Sequence, residues 1–178
     1  MPEIEIRTAI SSDLPALINI EHFVDTTHVW QMDATSDQDQ IEVKFHEIRL
    51  PRAVRLDYPR SASDLADIWT RKHLMLAAIC QGQPIAYLTV EEEQTLTARV
   101  TDLVVAEKFR RQGIASALLV SARDWAKGRG LKRVVLEIQA KNHAAIQLAR
   151  KLGFEFCGFS DDYFANHDIG VFFIAFTK

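Results

Sequence analysis

Apolar Ile4 and Ile6 alternate with Glu5 and Arg7 up to Thr8, the two-residue period of a strand. Ser11-Ser12-Asp13 then supplies helix-capping side chains, and Leu14-Pro15 places a proline in a first helical turn. Leu14, Leu17, Ile18 and His22 follow at helical spacing, which predicts a helix to about Phe23. Residues 25–40 are polar and read as a loop or a hairpin. Ile41, Val43, Phe45 and Ile48 predict a strand over 41–50 with one irregularity, and Pro51 ends it. Ser61-Ala62-Ser63-Asp64 caps a further helix with Leu65, Ile68 and Trp69 as its apolar stripe. The apolar runs 74–80 and 85–90 flank Gln81-Gly82-Gln83-Pro84, a hairpin signal. Glu91-Glu92-Glu93 leads into a second turn and a strand over 98–105.

The second half carries clearer periods. Ile114, Leu118, Ala122 and Trp125 line one face of a helix from about 112 to 127, stopped by Gly128 and Gly130. Val134, Leu136 and Ile138 alternate in a strand. Asn142 opens a helix carrying Ala145, Leu148 and Leu152, which Gly153 ends. Residues 154–159 and 169–176 are the last two strands. Antiparallel hairpins early and helical crossovers late predict a mixed α/β fold: a mostly antiparallel central sheet with helices on both faces. The strand at 169–176, rich in Phe172, Phe173 and Phe176, either pairs across a homodimer or lies inside the sheet.

Composition narrows the function classes. The 178 residues suit one domain spanning 1–178, and 48% hydrophobic residues suffice for a core. The net charge of −3, from 24 acidic and 21 basic side chains, argues against a nucleic-acid partner and suits a cationic or amine substrate. Cys80 and Cys157 lie in apolar runs far apart and read as buried free thiols in a reducing cytoplasm. The segment before Ile10 has no apolar signal core, and no apolar run approaches membrane-spanning length, so a soluble cytoplasmic protein without a membrane partner is expected. His22, His28, His46, His73, His143 and His167 show no metal-ligand spacing, and no metal is expected.

The chemistry concentrates between the strand at 98–105 and the helix after it. Ala106-Glu107-Lys108-Phe109-Arg110-Arg111-Gln112-Gly113 is a short basic loop. It runs into a helix start, where unpaired N–H groups and the positive dipole end favour phosphate. Gly113 lets the backbone approach an anion, Ala115 keeps the approach clear, and Arg110 and Arg111 add charge. The loop is neither a P-loop nor the three-glycine dinucleotide fingerprint. Without context, an ordinary basic loop ahead of a surface helix explains the pattern equally well.

Context changes that balance. Arg110-x-x-Gly113-x-Ala115 resembles the Arg/Gln-x-x-Gly-x-Gly/Ala signature of the GNAT acetyltransferase superfamily. Val100-Thr101-Asp102-Leu103-Val104-Val105 before it is similar to that superfamily's fourth strand. Asn142-x-x-Ala145-x-x-Leu148 followed by Gly153-Phe154 is similar to its closing helix and strand. The likeness covers about residues 73–176, leaving 22–72 as a substrate-side region. It implies a GNAT-like acyl-CoA N-acyltransferase fold and acetyl-CoA as cosubstrate. Leu103, Val104 and Val105 would meet the pantetheine arm. Arg110, Arg111, Gln112, Gly113, Ile114, Ala115 and Ser116 would hold the pyrophosphate. Asn142 would touch the pantetheine, although a plain N-cap explains it as well. A narrower likeness, through Thr27-His28-Val29-Trp30, 44–48, Pro51 and 158–164, is to streptothricin acetyltransferases; ribosomal-protein N-terminal acetyltransferases share much of the second half.

Acetyl transfer to an amine needs a base or ammonium binder, and Asp102 is the first choice, ahead of Glu91 to Glu93. The alternative for Asp102 is an exposed edge carboxylate. A backbone N–H near Val105 would polarise the carbonyl. The superfamily's usual acid, a tyrosine late in the closing helix, is replaced by Ala149. Tyr163 is the substitute hydroxyl, or else a packing aromatic. The expected acceptor is a primary amine on a small molecule, such as an antibiotic of streptothricin type. The alternatives are a protein N-terminus or lysine, or a non-catalytic acyl-CoA sensor.

Overall fold

A computed structural model describes residues 3–178. Seven strands form the main sheet in the order β1-β4-β5-β6-β7-β9-β8: β1 (Ile4–Thr8), β4 (Leu74–Cys80), β5 (Gln83–Glu93), β6 (Thr97–Val105), β7 (Arg133–Gln139), β9 (Gly170–Phe176) and β8 (Glu155–Ser160). All neighbours are antiparallel except β6 and β7. The helix α3 (Ile114–Gly128) makes that parallel crossover, and α4 (His143–Lys151) follows β7. Two short helices, α1 (Leu14–Ile18) and α2 (Leu65–Ile68), complete the helical layers.

Side-chain alternation on β4 puts helices on both faces. Leu74, Leu76, Ala78 and Cys80 join Ile114, Leu118, Ala122, Ile146 and Ala149 of α3 and α4 in the main core. Met75, Ala77 and Ile79 point the other way, onto Leu14, Leu17 and Leu65 of α1 and α2. The mixed sheet with helices on both faces is the expected one.

The polar first third takes the hairpin of the two expected readings, with longer strands than expected. Residues 25–40 are mainly strand β2 (Phe23–Ser36), paired along its length with β3 (Ile41–Asp57) in a separate two-stranded arm. Pro51 does not end β3. Thr26 pairs with Val54 and His28 with Arg49, so residues 50–53 oppose Thr27 alone in a wide bulge, where proline forfeits no ladder bond. The first helix stops at Ile18 rather than near Phe23: Asn19 caps it, its Nδ2 donating 2.7 Å to the carbonyl of Pro15. Trp30 N–H donates 3.0 Å to the carbonyl of Ala140, fastening the arm beside the end of β7. β9 lies inside the sheet between β7 and β8, so the free edges are β1 and β8. Cys80 is buried as expected, but Cys157 on edge strand β8 is exposed. No described helix is long and apolar enough to cross a membrane.

Candidate active site

The site begins with a defect in β6. Thr89 pairs with Asp102 but Val90 pairs with Val100, so Thr101 is an extra, bulged residue. A bulge bends and twists its strand. The parallel ladder between β6 and β7 accordingly ends at Val100–Leu136, although both strands continue to Val105 and Gln139. The diverging halves open a gap in the middle of the sheet.

A cleft of about 460 Å³ occupies one side of this gap, lined by Leu103, Val104, Val105, the loop before α3, its first turn, and Asn142. Gly113 is the N-cap of α3 with φ 86°, a conformation that suits glycine, and no side chain caps the helix. The first-turn amides therefore face the cleft without an internal partner. Arg111 also has positive φ, 63°, so two residues of this loop adopt the left-handed conformation. Of the predicted loop residues, Arg110, Arg111, Gly113, Ile114, Ala115 and Ser116 line the cleft, whereas Gln112 turns back to the carbonyl of Lys108 at 3.1 Å. Arg110 is committed to the fold. Its Nε donates 2.8 Å to the carbonyl of Val105 and its Nη2 donates 2.8 Å to the carbonyl of Glu21. Asn142 is the N-cap of α4, its Oδ1 accepting from Ala145 N–H at 3.1 Å, and it also lines the gap.

A second cavity of about 80 Å³ sits deeper along the same gap and shares Tyr58, Leu103, Gln139, Asn142, Ala145 and Leu148 with the first. Asp102 lines it, and it is not the exposed edge carboxylate of the alternative reading but 5% exposed. Its Oδ1 accepts from Tyr58 Oη–H, and its Oδ2 accepts from Thr89 at 2.5 Å and Thr101 at 3.1 Å. Arg60 Nη1 stands 3.5 Å from Oδ1 and donates 2.8 Å to the carbonyl of the bulged Thr101. Arg60 Nη2 reaches Glu137 Oε1 at 3.2 Å, and that oxygen also accepts from Tyr163 Oη–H at 2.6 Å. The Glu137 side chain is 3% exposed. One guanidinium thus bridges buried carboxylates on the two diverging strands.

Burial, reinforced by the charge of Asp102, pushes the Tyr58 phenol well above its ordinary value. Burial and the Glu137 contact push Tyr163 up to about 12. Burial lowers His22, whose Nδ1–H donates 2.6 Å to the carbonyl of Ile20, leaving Nε2 to accept from Tyr87 at 3.0 Å. Tyr163 lines neither cavity; its hydroxyl is directed at Glu137 and its ring packs on Phe164 and Phe172. Ala149 is fully buried in the core. Glu91, Glu92 and Glu93 lie at the far end of β5 from Val105 and pair with Lys72, Arg129 and Arg99.

Tyr58, Arg60 and Glu137 escaped sequence reasoning. Glu137 reads as the polar half of an alternating strand, and only the end of the β6–β7 ladder turns it into a wall of a gap. Tyr58 had one available signal: it is one of just three tyrosines in a chain that lacks the usual one.

The sequence pattern of the acetyltransferase (GNAT) family matches residues 39–154. The chain belongs to the GNAT family. It is an acetyl-CoA-dependent acetyltransferase. Streptothricin acetyltransferase of Streptomyces lavendulae is 26% identical over 156 residues, 86% of this chain and 82% of that protein. The crystal structure of nourseothricin acetyltransferase superposes with a TM-score of 0.83 at 21% identity, covering 98% of this chain and 99% of that one. The ribosomal-protein-S18-alanine N-acetyltransferase from Escherichia coli gives 0.69 at 20% identity, over 99% of this chain and 95% of that one. These two likenesses are of fold.

Proposed function

We propose that this GNAT enzyme acetylates a primary amine of a cationic small molecule. The observation that carries it is the charge balance of the deeper cavity. Asp102 and Glu137 face one guanidinium, Arg60, so the buried cluster keeps one uncompensated carboxylate. An ammonium supplies the missing charge, and burial makes the match worth more than at a surface. The 26% identity to a streptothricin acetyltransferase over most of both chains supports an antibiotic of that type, an amine-bearing molecule, over a polypeptide.

On this reading acetyl-CoA lies in the larger cleft and supplies the acetyl group. The first-turn amides of α3 from Ile114 to Ser116 and the charge of Arg111 hold its pyrophosphate. Leu103, Val104 and Val105 present backbone groups to the pantetheine arm, and the free Asn142 amide nitrogen touches it. Arg110 shapes the loop rather than meeting phosphate.

The roles of the carboxylates separate. Asp102 already accepts from three hydroxyls, so it positions Tyr58 and Arg60. Glu137 receives both of its hydrogen bonds on Oε1, and Oε2 is left to bind the ammonium and take its proton. Tyr163 acts through Glu137. Tyr58 lines both cavities and, kept protonated, is the hydroxyl placed to return a proton to the departing thiolate in place of the missing α4 tyrosine. An acetylation assay with streptothricin, aminoglycosides, polyamines and peptides tests the reading. Turnover of streptothricin or a related amine is expected, and turnover of peptides alone would sink it.

A further inference from the structure

Folding brings together three side chains that linear spacing keeps apart. His28 on β2, Glu47 on β3 and His143 at the start of α4 place one ligand atom each within 4.8 Å of one another. His28 pairs with Arg49 and Trp30 with Glu47, so His28 and Glu47 are diagonal neighbours on one face of the arm, and that face meets α4. We propose that this cluster is a divalent transition-metal site of the zinc class that clips the β2–β3 arm to the main domain.

The contacts are wrong for a self-sufficient polar cluster. Glu47 Oε1 is 3.9 Å from His28 Nε2, and Glu47 Oε2 is 3.9 Å from His143 Nδ1. Both separations are too long for hydrogen bonds. His143 Nδ1 is buried and has no hydrogen-bond partner among the described residues. Buried polar nitrogens nearly always have one, so an orphan aimed at a carboxylate it does not reach points to something between them.

The dimensions suit an ion. Two imidazole nitrogens about 2.1 Å from a shared zinc at a tetrahedral angle put their ring centroids roughly 5 Å apart. The observed separation of the His28 and His143 rings is 5.1 Å. The same geometry sets nitrogen and carboxylate oxygen roughly 3.4 Å apart, so closing from 3.9 Å needs a shift of about half an ångström in side chains that are partly exposed. The orienting partner is present too. Thr27 Oγ1 lies 2.9 Å from His28 Nδ1, which ties up that nitrogen and leaves Nε2 facing the cluster. Two imidazoles and a carboxylate with an open fourth position suit zinc or cobalt and disfavour calcium and magnesium, which want oxygen. The site joins the arm to the main domain one residue from Asn142, independently of what the enzyme acetylates.

The test uses the full, untagged chain without acetyl-CoA. Zn²⁺ titrated by calorimetry against the metal-free protein should bind at one ion per chain and raise Tm. Co²⁺ should give the intense visible bands of a low-coordinate site. His28→Gln, His143→Gln and Glu47→Gln should each weaken Zn²⁺ binding by roughly tenfold or more. Far-UV circular dichroism checks the fold, and the partly exposed Glu47→Gln keeps the test available if a histidine variant unfolds. Absence of stoichiometric binding, or equal affinity in wild type and folded variants, overturns the proposal.

Discussion

Replacing Gly113 by glutamate isolates the pyrophosphate assignment from the rest of the mechanism. The glycine has φ 86° and ψ −2°, and a side chain in that left-handed conformation costs about 1–2 kcal/mol. A Cβ built there meets no atom within 4 Å, so the added side chain has room and the fold should survive with a modest loss of Tm. The new carboxylate, however, stands at the mouth of the only uncapped amides of α3. At about 4 Å from a phosphate oxygen and an effective dielectric near 20 the repulsion is about 4 kcal/mol, lowered by salt and by rotation of the side chain. Acetyl-CoA affinity measured by calorimetry should fall roughly a hundred- to a thousandfold. Gly113→Ala carries the same backbone strain without the charge and should lose far less. A pantetheine fragment lacking the pyrophosphate should bind both variants like the wild type. Unchanged acetyl-CoA affinity in folded Gly113→Glu would refute the assignment, and so would an equal loss for the pantetheine fragment.

Glu137→Gln should lower kcat/KM for the amine by at least tenfold while leaving acetyl-CoA affinity intact, read by steady-state kinetics beside calorimetry. Tyr58→Phe strands a charged, buried acceptor on Asp102 and should cost about 1–3 kcal/mol of stability in denaturant unfolding, with a fall in kcat beyond that of Tyr163→Phe. Acid stability should depend on Asp13. The hydrogen bonds from Arg7, at 2.7 and 2.9 Å, hold its carboxyl below the ordinary carboxylate value, so the folded state binds a proton less readily than the unfolded chain. That stability is present above about pH 4 and lost as pH falls through the folded value; Arg7→Ala should flatten the Tm decline on this acid limb. Of the two thiols, Cys157 should react with a thiol reagent in the native protein and Cys80 only on unfolding.

Legibility in the sequence followed the physical range of each determinant. The second half was readable because its signals are local: the glycines beyond α3, the Asn142 cap and the 3.6-residue stripes of α3 and α4 act within one or two turns. The β2–β3 arm was not, because its polar positions match a solvated two-stranded ribbon as well as a loop, and because the bulge that tolerates Pro51 is a property of two strands in register. The same distinction divides the site. The phosphate-favouring wall of the larger cleft is a loop and a helix start, contiguous in sequence. The buried polar cluster at the deeper cavity rests on Tyr58, Arg60, Asp102, Glu137 and Tyr163, drawn from four separate stretches of chain.

What assembles those four stretches is the bulge at Thr101. It ends the β6–β7 ladder after Val100, and the Thr101 carbonyl is satisfied by Arg60 instead of by a neighbouring strand. The guanidinium that repairs the broken ladder is therefore also the one held between Asp102 and Glu137, so opening the sheet and charging the gap are one structural event. Ala149 fits the same logic. With the usual tyrosine position given over to core packing, the hydroxyl nearest both cavities comes from the end of β3, on the arm side of the gap. The least legible part of the chain thereby supplies Tyr58 and Arg60 to the gap.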